Sequence, residues 1–141
     1  MRQNIRASAS PVTDDPLGRE TPRGSFLGFV AAAQADNLVV AAEYLQWPRR
    51  GMPITKTEAA EQLRFVLNHG FEGSIDRLSR DPQGSFADTL PSTREKVGIA
   101  VLADGERVDI NLTRVAQRSG PMVWVVAAET VAEVPRMYGK S

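Results

Sequence analysis

The sequence predicts an α+β domain in which about three N-terminal helices pack on a three- to four-stranded antiparallel sheet. Three observations carry that expectation. Between residues 22 and 70, apolar side chains recur at i, i+3, i+4 and i+7, the period of a buried helix face. Between residues 97 and 113 they alternate instead, as in strands with one covered side. Asp104-Gly105 and Ser119-Gly120-Pro121 then divide the last third into short runs that join as a meander.

Each element follows from its residues. Positions 1–14 are polar and aperiodic, so they read as a disordered lead-in to a single domain over 15–141. Asp15-Pro16 and Gly18 disfavour helix and set a turn. Thr21 is then the expected N-cap and Pro22 the first helical residue, with Phe26, Phe29, Val30 and Ala33 inward over 22–34. Asp36 reads as the N-cap of a second helix, with Leu38, Ala41, Ala42 and Leu45 inward and Trp47-Pro48 as its stop. Thr55 and Glu58 form a capping box for a third helix, with Ala59, Leu63, Val66 and Leu67 inward and Gly70 as its C′ residue. Residues 71–91 are less regular, anchored by Ile75 and Leu78 and turning at Asp81-Pro82-Gln83-Gly84.

The strands come last. Val97, Ile99 and Val101 alternate, and Asp104-Gly105 supplies the pair expected of a type I′ hairpin turn. Val108, Ile110 and Leu112 face the core, while Asp109, Asn111 and Thr113 face water. Met122 to Ala127 is apolar on both faces, which predicts a central or doubly covered strand. Glu129 to Val134 is expected to make one helical turn, stopped by Pro135.

Composition narrows the function. Lys+Arg and Asp+Glu are 17 each, for a net charge of zero, without the basic excess of a nucleic-acid binder. Without cysteine there is no disulfide, thiolate nucleophile or Cys-ligated metal. No run reaches the roughly 20 apolar residues of a membrane helix, so these residues are not expected to insert in a bilayer. His69 is the single histidine and has no second His or Cys with which to build a metal set. Asp76, Asp81 and Asp88 lack the spacing of a calcium loop. No serine-hydrolase elbow, zinc-protease helix or phosphate-binding loop occurs, and no acid/base pair stands out. The expectation is a non-enzymatic chain with no catalytic residue, metal or cofactor.

The candidate residues are therefore structural or interaction sites: Asp15, Arg19, Thr21, Arg23, Trp124 and Glu129. Arg19 and Arg23 sit at a helix N-terminus, where the dipole favours anions, so at least one is expected to hold a carboxylate. Glu129 follows an apolar strand directly and is the expected partner; its alternative role is to stabilise a helix start. Trp124 is expected in the core, with a pocket-lining role for it or Tyr44 as the alternative.

Several segments together resemble the N-terminal extramembrane domain that precedes the channel core in some members of the bacterial mechanosensitive ion channel (MscS) family. They are Asp15-Pro16-Leu17-Gly18-Arg19, Thr21-Pro22-Arg23-Gly24, Gly28-Phe29 and Ala41-Ala42-Glu43-Tyr44-Leu45. Gln62-Leu63, Val66-Leu67, Leu78-Ser79, Asp81-Pro82-Gln83-Gly84 and Leu90-Pro91 follow. The set closes with Arg94-Glu95-Lys96-Val97-Gly98, Val108-Asp109-Ile110, Val123-Trp124, Glu129-Thr130-Val131, Pro135 and Tyr138. Asn68 departs from the family's Asp, and Ala127-Ala128 replace a more polar pair. The pore helices and the β domain behind them have no counterpart in these residues. The resemblance implies a soluble domain on the periplasmic side of the inner membrane. Its implied partners are the rest of the channel subunit and neighbouring subunits, and its implied role is interaction or regulation. The alternatives are a small-ligand-binding domain of cone-like α+β fold and a stand-alone hydrolase or isomerase.

Overall fold

Thr21 opens the first helix as its chemistry requires, its hydroxyl oxygen accepting from the Gly24 amide at 3.0 Å. The structure, a computed structural model, describes residues 15–73, 77–82 and 93–140. The expected lead-in over 1–14, the Ile75 anchor, Asp76, Asp88 and the Gln83-Gly84 half of the expected turn lie outside the described residues. Helix α1 spans Pro22–Gln34 and buries Phe26, Phe29 and Ala33.

The second helix, α2, is short (Leu38–Ala42) and begins one residue later than expected. Asn37, not Asp36, is its N-cap; Asp36 lies in the left-handed region at φ 61° and makes the bend between α1 and α2. The helix also stops before Trp47. Beyond Ala42 the chain tightens into i→i−3 turns, with Tyr44 N donating to Ala41 O and Leu45 N to Ala42 O, and Leu45 then forms a parallel bridge with Val126. A tertiary strand edge thus takes over from local propensity.

Helix α3 (Lys56–Gly70) carries the expected capping box, with Thr55 and Glu58 each accepting from the other's amide. Gly70 is not a left-handed C′ residue but the last residue of the helix. It is glycine for another reason: a Cβ there would overlap the carbonyl oxygen of Val101 on the sheet.

Among the described residues four antiparallel strands follow in simple order: β1 (Phe71–Gly73), β2 (Arg94–Val101), β3 (Arg107–Val115) and β4 (Val123–Val126). The register runs Arg94 opposite Thr113 and Val101 opposite Arg107, then Leu112 opposite Val126. Between Lys96 and Gly98 the register slips, so Val97 is the extra residue of a β-bulge. The bulge reverses the facing of the strand. Glu95 and Val97 are buried before it and Ala100 and Leu102 after it, whereas Ile99 and Val101, expected inward, are only half-buried.

The β2–β3 hairpin turns where expected but not as type I′. Leu102 accepts from the Gly105 amide at 2.9 Å, its own amide donates to Glu106 O at 2.8 Å, and Gly105 alone has positive φ (87°). This is a three-residue loop with glycine at the left-handed position. The Asp104 carboxylate caps it by accepting from the Glu106 amide.

Strand β4 is last in the sheet yet buried along its whole length. Its outer edge is covered by chain, not water: Trp124 N donates to Arg19 O at 2.6 Å, Val126 N to Tyr44 O at 2.8 Å, and Val126 O accepts from Gln46 N. An open edge would invite pairing with other chains.

Helix α4 runs Ala128–Gly139, passing through Pro135 where the sequence predicted a stop. The inward face of Thr130, Val131, Val134 and Met137 is fully apolar but for one hydroxyl. That hydroxyl accepts from Asn111 N on β3. Burial of this stripe outweighs the one backbone hydrogen bond Pro135 removes. The first amide of α4 has no side-chain cap from Ala127; Gln46 Oε1 accepts from Ala128 N at 2.8 Å instead. Helix α3 lies in the middle, touching α1, α2, α4 and the first two strands, and one core joins Phe26, Leu63, Ile110, Trp124, Val131 and Met137.

Candidate functional site

A buried polar clasp and an apolar cleft between helices are the two candidate places. The first is a clasp built on Asp15 and Arg19. The Asp15-Pro16-Leu17-Gly18 turn closes by Gly18 N to Asp15 O, which brings the Asp15 carboxylate back onto the residue four ahead. Arg19 gives it three hydrogen bonds: the backbone amide to Oδ2 at 2.8 Å, Nε to Oδ2 at 3.0 Å and Nη2 to Oδ1 at 3.0 Å. Asp15 is only 3% exposed, so this is a buried fork, not a surface pair.

The remaining Arg19 donors reach across the fold. Nη1 donates to Glu43 O at the end of α2 at 2.8 Å, and Nη2 to Gln117 Oε1 at 3.2 Å. Gln117 in turn donates to Pro121 O. Ser25 Oγ donates to Trp124 O at 2.7 Å, and the Tyr44 hydroxyl to Leu17 O at 2.7 Å. Burial pushes the Asp15 carboxyl up, but the Arg19 hydrogen bonds and charge outweigh it and hold the group below its ordinary value. The same hydrogen bonds raise Arg19, and burial raises the Tyr44 phenol.

The carboxylate expected for the arginines is therefore found, but four residues upstream. Glu129 does not fork with Arg19: it stands on the first turn of α4 and pairs with Arg94 on β2, more than half exposed. The local turn decides this, because it delivers Asp15 to Arg19 before any distant group can compete. Arg23 is half-buried and its amide donates to Ser79 O at 3.0 Å. Thr21 is the cap described above. Trp124 is wholly buried, with Nε1 donating to Pro82 O at 3.0 Å.

One buried charge escaped the sequence reading. Glu95 is 2% exposed and accepts from Ser79 N at 2.9 Å. Its parity was the available signal, since Glu95 lies two residues before Val97 on one strand and shares its face. His69 stacks on Phe65 with ring centroids 3.9 Å apart, and its Nδ1 bonds Phe65 O.

The second place is a cleft of about 160 Å³ between α1 and α3. Phe26, Phe29 and Phe71 form its apolar wall with Val30 and Leu67. Phe26 and Phe71 stack on each other at 5.8 Å. At the rim, Gln34 Nε2 donates to Asn68 Oδ1 at 3.2 Å. Arg64 also lines the rim; it donates to Ala33 O and Asp36, capping the end of α1, and lies 3.9 Å from Glu61. Neither Trp124 nor Tyr44 lines this cleft.

Among the described residues no cluster of three or more His, Cys, Asp or Glu could hold a metal ion, and no helix is long and apolar enough to cross a membrane. Comparison of the chain with protein-family models, curated proteins and solved structures finds no match.

Proposed function

We propose that these residues form a non-catalytic extracytoplasmic domain of a bacterial mechanosensitive channel subunit. It would serve on the periplasmic side of the inner membrane as an interaction or regulatory module for the rest of the subunit and its neighbours. One observation carries the reading. Two of the family-like segments, 15–24 and 123–138, are joined: Trp124 N donates to Arg19 O, Arg19 is itself fixed by Asp15, and Ser25, directly after the first segment, donates to Trp124 O. Such a lock gives a stiff body, suited to transmit a displacement from one end of the chain to the other. The reading frame beyond Ser141 tests it. Several long apolar stretches are expected there, and the full-length product should protect a channel-deficient strain during osmotic downshock. A stop codon directly after Ser141, or no protection by the full product, would overturn it.

The cleft between α1 and α3 favours a second reading, a small-ligand-binding domain. Saturable binding of a small molecule to the purified domain would support it.

A further inference from the structure

We infer that the last turn of α4 and the β2–β3 hairpin loop form a latch, one small unit that opens in acid or at high salt while the rest of the fold stays closed. The inference stands on the contacts at this end of the molecule and needs neither functional reading.

The core sets the limits of the unit. Leu102 and Met137 are buried, whereas Ala103, Asp104 and Gly105 beyond the one, and Tyr138, Gly139 and Lys140 beyond the other, are exposed. What passes between loop and helix there is polar. Ala103 N donates to Lys140 O at 2.8 Å. Lys140 Nζ lies 3.0 Å from Glu106 Oε1 and 3.1 Å from Asp104 Oδ2. Arg136 Nη1 donates to both Glu106 oxygens, at 2.6 and 2.8 Å. With these residues exposed, burial contributes little, and a charge network of this kind holds more than an isolated surface pair does.

The neighbouring charges supply no substitute. Glu133 takes the other side of the Arg136 guanidinium at 2.6 Å, but it lies on α4 itself and bridges nothing to the loop. Arg107 is turned to Glu72 on β1, Asp109 to Lys96 on β2, and Glu129 to Arg94. His69, at the end of α3, lines a hollow with Leu102 and Ala103 and offers Lys140 no negative charge. Among the described residues, therefore, Asp104 and Glu106 alone carry the bridge.

Acid removes it with a definite sign. The Glu106 amide and Lys140 hold Asp104 below the ordinary carboxylate range, and Arg136 and Lys140 do the same for Glu106. Their contribution is full above that range and is lost as pH falls through the lower folded values. Arg136 and Lys140, both raised, keep their charges throughout. Four residues apart on one helix, they then repel each other. Salt acts on the same exposed groups, since at about 1 M the screening length is only about 3 Å. Closed, the latch makes the sheet share any load on Lys140; open, α4 alone carries it.

The experiment is amide hydrogen exchange on the whole chain, corrected for intrinsic rates, in wild type, Glu106→Gln and Glu133→Gln. In Glu106→Gln, and in wild type at high salt, exchange at Ala103 and Lys140 should quicken about three-fold or more. The core amides of Leu63 and Ile110 should keep their protection, and Glu133→Gln should leave Ala103 unchanged. In an acid titration of wild type, the amide shifts of Ala103 and Lys140 should share one midpoint below the ordinary carboxylate range. Unchanged exchange at Ala103 in Glu106→Gln would overturn the inference, because charge would not be what holds the loop. Equal quickening at Leu63 and Ile110 would show that this end opens only with the whole domain. Separate midpoints would show that loop and helix end do not move as one unit. Equal quickening in Glu133→Gln would place the effect in α4 alone and not in the bridge.

Discussion

Asp15 and Arg19 show how much a single side chain decides here. Replacing Asp15 with Asn removes the charge that Arg19 was folded against and leaves a partly buried guanidinium hydrogen-bonded to the neutral acceptors Glu43 O and Gln117 Oε1. Breaking a buried pair in this way costs about 3 kcal/mol or more. The pH dependence has a definite sign. The folded carboxyl lies below its ordinary value, so the unfolded chain takes up the proton first as pH falls. The stability Asp15 supplies is present in full above the unfolded value of about 4, and is lost as pH drops through the lower folded value. Urea unfolding of wild type and Asp15→Asn should therefore differ most at neutral pH and converge in acid. A gap that stays constant down to strongly acidic pH would show that the fork is not what the substitution removes. Glu129→Gln should be nearly silent in the same assay, because its pair with Arg94 is exposed.

At the scale of elements, the hairpin and α4 make opposite predictions. Gly105 holds φ 87°, a region that β-branched side chains resist. Gly105→Val should destabilise the domain by about 1–2 kcal/mol, seen as a lower unfolding midpoint. An unchanged midpoint would mean that the loop can rearrange without glycine. Pro135 sits within α4 and withholds the amide that Val131 O would otherwise accept. Pro135→Ala should stabilise the domain, by up to about 3 kcal/mol for a proline in a helix interior. If thermal unfolding of that variant is unchanged or earlier, the proline ring must be supplying packing that alanine lacks. The C-terminal turn of α4 is also tied to the hairpin, since Lys140 and Arg136 bridge Glu106 and Ala103 N donates to Lys140 O. These groups are exposed, and high salt should weaken the charged part of that link while sparing the backbone bond.

For the whole molecule, Trp124 is the residue through which helices and sheet become one body. Its ring fills the core, its indole N–H reaches Pro82, and its backbone joins Arg19 and Ser25. Trp124→Ala should cost about 3–5 kcal/mol. Because helices and strands share that core, circular dichroism and tryptophan fluorescence should report one coincident transition. Two separated transitions would show that the helical layer and the sheet are stabilised independently.

The helices were legible because their signals are local. Thr21-Pro22, the Thr55/Glu58 capping box and the apolar spacing of Phe26, Phe29, Leu63 and Val66 act within one or two turns of chain. The alternation over Ile110 and Leu112 and the Asp104-Gly105 turn were legible for the same reason. The rest was decided between elements. Helix α2 ends early because β4 offers Tyr44, Leu45 and Gln46 a strand edge, and no residue near Ala42 encodes that edge. The inward positions of β2 change at Val97 because of a bulge, a difference in register that only the partner strand defines. Helix α4 passes through Pro135 because its apolar stripe finds a core to cover. The candidate site divides along the same line. Thr21 and buried Trp124 followed from local pattern, whereas Asp15 as the partner of Arg19 needed a turn to be closed. The α1–α3 cleft belongs to neither helix alone, since its walls come from side chains about 40 residues apart whose spacing is set by how the helices pack.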